Sequence, residues 1–320
     1  MPLKSRHEGA AKHYHGQASR PAGSHSGLYL DECRSASPDS LFGALIAEVA
    51  HDVGVEPRAL IVRVLLHLPR VASWKGWVNE GQLRRQIEIC AHRLRKDVAA
   101  AARTVPAAAF SLSQLRFQCI DEAQAQPILT HLHYLGSARP GSSYFSLVDP
   151  VQGRPIALCS VSEFRWIRVA TQLRRQFLIS QDRVLDISRV YAVDSAPPNS
   201  ISLLLSRVRS WVRRNETSVE LLTTAVDRNL GFTGASYRAA NWKAWITIKA
   251  RPYLYENQRH VTPRQLRERY GTPRFDELKA KFPGRFERSK SKLLDSAIYC
   301  CRVNGETEVV PPGEIHRLNR

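Results

Sequence analysis

Between residues 112 and 250 short strand patterns alternate with amphipathic helix patterns, which restricts the fold more than any other feature of this chain of 320 residues. Leu115, Phe117 and Cys119 alternate with polar residues and read as a strand ending at Asp121. Residues 122–134 read as a helix and 136–141 as a loop. Residues 144–148 and 156–161 flank a Pro150–Gly153 turn and read as a hairpin. A short basic helix at 172–177 precedes a longer strand at 184–193. Over 200–214, Leu203, Leu204, Val208 and Trp211 fall on one side of a helix. A strand at 219–226, a short helix at 234–241 and a strand at 245–249 follow. The order β-α-β-β-α-β-α-β-α-β predicts an α/β (α+β) fold, a mixed central sheet flanked by helices, and no internal repeat competes with it.

The flanks differ. Residues 1–28 are basic, rich in Gly, His and Ser, and too poor in apolar side chains to offset the entropy of ordering, so a disordered basic tail is expected. Residues 37–105 read as a helical extension. Ser37 suits an N-cap with Pro38 at the first helical position, and Leu41, Leu45, Ile46 and Val49 follow at helical spacing. After a break at 54–57, Pro57 starts a second helix with Leu60, Ile61, Val64 and Leu65 inward. A third, over 79–102, carries Arg84, Arg85, Arg93, Arg95 and Lys96. The arrangement suits either a helix-turn-helix reader of DNA or a cap with a solvated basic face, and the undiagnostic turn favours the cap. Residues 251–320 read as a basic C-terminal extension with a capped helix at Thr262-Pro263, a basic stretch over 279–292, a strand at 297–303 and a fraying end.

Lys and Arg number 47 against 29 Asp and Glu, a net charge of +18. An excess of that size repels itself in a compact state and points to a polyanionic partner, DNA first among them. The six cysteines form no C-x-x-C pair. Cys90, Cys119 and Cys159 read as small buried hydrophobes, and the set points to a reducing, cytoplasmic location. No apolar run approaches ~18 residues, so no membrane span is expected, and the N-terminus lacks the apolar core of a signal peptide.

Two stretches concentrate chemistry. The strand bearing Arg189 and Tyr191 empties into a Pro-containing turn that opens a helix, where free N–H groups and the helix dipole favour an anion. Asn199, Ser200 and Ser202 can cap that start or donate to phosphate. The second stretch places Asp227 at the carboxyl end of a strand, with Gly231 and Gly234 allowing close backbone approach. Tyr237 and Asn241, four apart, would share a helical face beside Arg238 and Trp242. Carboxylate, phenol and amide together can orient an amine and manage its protons. His131 and His133 on a helix face different ways, so no metal site is expected.

The run APPNSISLLLSR … TTAVDRNLGFTGASYRAANW, preceded by HYLG, resembles the Mom-type DNA-modification proteins of phages. It resembles, more distantly, the Druantia-type defence domain, and both look related to the GNAT acyltransferase fold. The resemblance spans about 110–275, including VTPRQLRERYGT, and no counterpart is known for the N-terminal helices. It implies a GNAT-like mixed sheet and a transferase acting on the exocyclic amine of adenine in DNA, with acetyl-CoA or another acyl-CoA as donor. Acyl-CoA would lie against the strand of Arg189 and Tyr191, with its pyrophosphate at Asn199, Ser200 and Ser202. Asp227 would polarise or deprotonate the amine, Tyr237 would act as acid or orienting group, and His133 and Tyr134 would line the base pocket. Asn241, Trp242 and Arg238 would meet the DNA, with Tyr134, Trp242 and Trp245 available for stacking. The Gly-rich phosphate loop of GNAT proteins is replaced by Pro197-Pro198-Asn199-Ser200. Alternatives are a non-catalytic nucleic-acid-binding or defence component and an N-acyltransferase for a protein or small amine.

Overall fold

A computed structural model describes residues 26–106, 108–308 and 317–318. The expected tail, up to residue 25, and most of the last ten residues lie outside these. Helices lead the described chain: strand β1 (Gly27–Tyr29), α1 (Leu30–Ser35), α2 (Leu41–Val53), α3 (Pro57–Val71), strand β2 (Trp77–Asn79) and α4 (Glu80–Ala101). Residues 27 and 28, expected in the tail, are thus paired in a strand with β2.

Helix α2 starts later than the sequence suggests. Ser40, not Ser37, is its N-cap, and the Ser40 hydroxyl accepts the Gly43 N–H at 3.0 Å. Ser37 is spent on a turn, its carbonyl accepting the Ser40 N–H at 3.1 Å. Helix α2 ends at Gly54, whose φ of 71° is the left-handed region glycine tolerates. Asn79, the expected first residue of the third helix, is the N-cap of α4 and accepts the Gln82 N–H at 2.7 Å. Phe42, Leu60, Leu65, Leu83 and Ile87 form a core of their own, while Arg85, Arg95 and Lys96 face solvent.

The α/β part runs β3 (Arg116–Ile120), α5 (Glu122–Pro127), β4 (Ser143–Val148), β5 (Pro155–Glu163), α6 (Ile167–Phe177), β6 (Val184–Ala192), α7 (Ser200–Asn215), β7 (Leu221–Val226), α8 (Ala235–Ala239) and β8 (Lys243–Ile248). A small antiparallel unit follows, with β9 (Leu254–Glu256), β10 (Arg259–Val261), α9 (Pro263–Tyr270), α10 (Phe275–Lys281) and β11 (Phe286–Arg288). Strands β12 (Ser296–Arg302) and β13 (Arg317–Leu318) end it.

The eight-stranded sheet has the order β13-β8-β12-β7-β6-β5-β4-β3, the expected mixed sheet flanked by helices, behind a helical N-terminal region. It reaches past residue 250, because β12 inserts between β7 and β8. The reason lies in β12 itself. Tyr299 and Cys301 bury on one face and Ile298 and Cys300 on the other, so the strand needs cover on both sides.

Two further expectations need correction. The helix over 122–134 is interrupted: α5 ends at Pro127, and a π turn carries the chain through Ile128–Leu132. Proline donates no N–H and crowds the preceding turn, and the His133 N–H bonds five residues back to the Ile128 carbonyl at 3.1 Å. Cys119 is exposed, not buried, because it lies on β3, the edge strand, which has a neighbour on one side only.

His67 and His260 flank the Tyr255 ring, with centroids 5.8 and 6.2 Å from it, where the small sheet meets the helices. Burial lowers their pKa values to about 3 and about 4, from 6.5. Below pH 6.5 the unfolded chain binds protons that the folded chain refuses, so stability is full above 6.5 and falls as the pH drops towards 4. Each histidine is expected to cost about 2 kcal/mol at pH 5. The urea midpoint should drop between pH 7 and pH 5, and an unchanged midpoint would refute this.

Candidate active site

Strands β6 and β7 lie parallel, yet they pair only at Val184–Leu221, Leu185–Leu222 and Asp186–Thr223. Against β5, the partner of Ser160 is Arg189 and that of Val161 is Ile187, so Ser188 is an extra, bulged residue. A bulge increases local twist and bends its strand. Beyond it β6 keeps β5 as neighbour and leaves β7. The opening holds a cavity of about 270 Å³ at the carboxyl ends of the two strands, where α/β folds collect ligands.

Seven of the residues singled out in the sequence line this cavity: His133, Tyr134, Arg189, Asp227, Gly231, Gly234 and Tyr237. Asp227 Oδ1 accepts the Asn229 backbone N–H at 3.0 Å and its side-chain amide at 2.8 Å. Asp227 Oδ2 accepts the Tyr253 hydroxyl at 2.5 Å. Asn229, itself buried, also exchanges hydrogen bonds with the backbone of Leu294 and accepts one from Arg34 of α1 at 2.9 Å. Leu230 sinks into the core of the N-terminal helices. The turn carrying Asp227 is therefore held from three parts of the chain. On its other side a second cavity, of about 320 Å³, shares the walls Tyr134, Ala225 and Asp227 and adds Tyr253 and Trp166.

Tyr237 stacks on Tyr299 at 5.6 Å and meets Trp242 edge-on at 5.6 Å, with its hydroxyl 3.4 Å from Thr224 Oγ1. Burial pushes its pKa up to about 12, so it stays a phenol and can donate. Gly234 makes room for this cluster, since a Cβ there would lie 2.3 Å from Tyr299 Oη.

His133 is buried and stacks on Tyr134 at 4.4 Å. Its Nδ1 accepts the Leu135 N–H at 3.2 Å, which places the proton of the neutral ring on Nε2. Burial, helped by the charges of Arg189 and Arg63, holds its pKa well below the usual histidine value. Tyr134 is pushed the other way, by burial and then by Asp227. Arg189 donates to the carbonyls of Ser137 at 3.1 Å and Ser188 at 2.6 Å and has no carboxylate partner among the described residues. Burial lowers its pKa to about 10, which leaves it cationic at neutral pH.

The other singled-out residues lie outside this cavity. Tyr191 packs against the buried cluster of Ile128 and Leu129. Asn199 takes a φ of 67° and makes no capping bond. The Ser200 and Ser202 hydroxyls donate to the carbonyls of Pro197 at 2.6 Å and Asn199 at 2.9 Å, and Ile201 reaches the cavity instead. Asn241 lies past the end of α8 with a φ of 62°, so it does not share a helical face with Tyr237. Arg238 donates to Thr233 O and Tyr299 Oη. Trp242 and Trp245 are each 1% exposed and cannot stack on a base. Phe232, 37% exposed, lines the cavity instead, 5.8 Å from Tyr134. Sequence reasoning also passed over Asn229 and Tyr253. The Asp-x-Asn spacing was a usable signal for the first, and nothing local marked the second.

Fold and cleft define a mixed α/β protein with a cavity between two diverging parallel strands. The chain belongs to the Mom protein family, which it matches over residues 114–293. Among solved structures it is similar to the spermidine N-acetyltransferase from Vibrio cholerae in complex with CoA and spermine, at 9% identity and TM-score 0.33, covering 59% of this chain and 96% of that one. The ribosomal-protein-S5-alanine acetyltransferase from Vibrio fischeri gives 9% and 0.34 over 63% and 100%, and an N-acetyltransferase from Staphylococcus aureus 12% and 0.32 over 59% and 99%. No curated protein matches the chain. No helix among the described residues is long and apolar enough to cross a membrane.

Proposed function

We propose that this protein modifies DNA, transferring an acyl group from acyl-CoA to the exocyclic amine of adenine. The observation that carries the reading is the cavity between the diverging strands, which gathers Asp227, Tyr237, His133, Tyr134 and Arg189 in a Mom-family chain. The charge of +18 suits a DNA substrate.

Acyl-CoA would supply an acyl group activated as a thioester. The residues present suit such a ligand. The stretch of β6 beyond Ser188 has no β7 neighbour to pair with an extended amide chain, Arg189 is a cation without a carboxylate partner, and the start of α7 offers backbone N–H groups. The Ser200 and Ser202 hydroxyls are committed to carbonyls, so in this reading phosphate meets N–H groups there. Asp227, held by Tyr253 and Asn229, orients the amine and takes its proton. Tyr237 returns a proton to the departing sulfur. His133 presents Nε2–H to the base, and Tyr134 and Phe232 stack on it once it has left the duplex.

Nucleosides from DNA of cells expressing the protein should contain a new adenine mass by mass spectrometry. Unmodified DNA in cells that make the folded protein would sink the reading.

A further inference from the structure

Helix α7 borders the cleft at its start, and further along it forms one wall of a separate groove of about 1070 Å³. The other wall is the approach to edge strand β3, residues 112–117, with Leu147 of β4. Leu203, Arg207, Ser210 and Arg214 recur at intervals of four, three and four, so one face of α7 lines the groove, and Arg213 lies beside it. That face is about 16 Å long at 1.5 Å per residue. Across from it stands Arg116.

Among the described residues the four arginines are the groove's only charged ones, and all four are exposed. No ion pair or hydrogen bond ties any of them among the described residues. This contrasts with nearby exposed or half-buried arginines: Arg209 donates to Val303 O and Gly305 O, and Arg183 pairs with Glu220. Four like charges on one groove raise the free energy of the bare fold, and an anion that spans them removes that cost. A single phosphate cannot reach along a 16 Å face, whereas a phosphodiester chain carries a charge about every 3.4 Å along each strand of a duplex.

We propose that this groove is a second nucleic-acid contact, binding the phosphodiester backbone away from the cleft where the base is held. It rests on the proposed DNA substrate, and it assigns retention of the strand to α7 and β3 rather than to the cleft.

The test compares two full-length variants with equal loss of charge. One is Arg116→Gln/Arg207→Gln/Arg213→Gln/Arg214→Gln. The other changes four exposed cations elsewhere, Arg85→Gln/Arg95→Gln/Lys96→Gln/Lys279→Gln. Binding of a fluorescent 20-nucleotide strand and of its duplex is followed against salt. The groove variant should lose about 3.6 from the slope of log K against log salt for duplex, or about 2.8 for a single strand, while the control keeps most of its slope. The probe that loses more identifies the form held. Equal losses in both variants overturn the groove, as does an unchanged slope with loss of a dimer in sedimentation, which would make the groove a self-contact. If the unaltered protein binds neither probe, the DNA reading itself fails. If adenine modification and the salt slope both survive in the groove variant, only the groove proposal fails.

Discussion

Asp227→Asn is expected to lower adenine modification about 10²–10⁴-fold, the range general acid–base catalysis supplies, while leaving the fold in place. The substitution keeps side-chain volume and still offers an oxygen to the Asn229 N–H groups that Asp227 accepts at 3.0 and 2.8 Å. It removes the charge and the basic oxygen that now accepts the Tyr253 hydroxyl. Tyr253→Phe should show a smaller loss, because Asn229 still holds the carboxylate. The readout is the fraction of modified adenosine at matched protein level, with thermal unfolding as control. Modification within tenfold of the unaltered protein would remove Asp227 from the chemistry.

Trp242→Ala is expected to destabilise the protein by about 3–5 kcal/mol, a large part of the roughly 5–15 kcal/mol that holds a domain together. The side chain is 1% exposed, lies in the core between the sheet and α7, and supports the edge of Tyr237. Its indole Nε1 is buried without a hydrogen-bond partner among the described residues. Trp242→Phe therefore forfeits volume but no hydrogen bond, and should cost clearly less than the alanine. It should also retain adenine modification, since Trp242 acts by packing and not on the base. Urea unfolding measures both variants. A wild-type midpoint for Trp242→Ala would contradict this packing role, and a folded but inactive Trp242→Phe would return the residue to the substrate.

The sheet and its helices were legible because their signals are local. Period-two alternation in β3, the apolar stripe of α7, Pro57 opening α3 and Thr262-Pro263 before α9 each report on a few neighbouring residues. Errors arose where a distant segment decides the outcome. Cys119 reads as buried until β3 proves to be the edge, and Trp242 reads as a stacking platform until β12 and α7 close over it. The N-cap of α2 moved because two serines compete within one turn, and only the packing around Gly43 chooses between them.

For the site, the sequence alone offered the side chains: a carboxylate at Asp227, a phenol at Tyr237, a cation at Arg189 and the His133-Tyr134 pair. Hydrophobic periodicity marks β6 and β7 as strands, while their lying side by side and parallel is a property of the folded sheet. What only the tertiary structure decided is how far they part and who holds the carboxylate. The bulge at Ser188 opens β6 from β7. Arg34, Leu294 and Tyr253, which are 195, 65 and 26 residues from the Asn229 or Asp227 they contact, fix the acid in place. Such hydrogen bonds depend on the chain meeting itself across long separations, and no local pattern encodes where that happens.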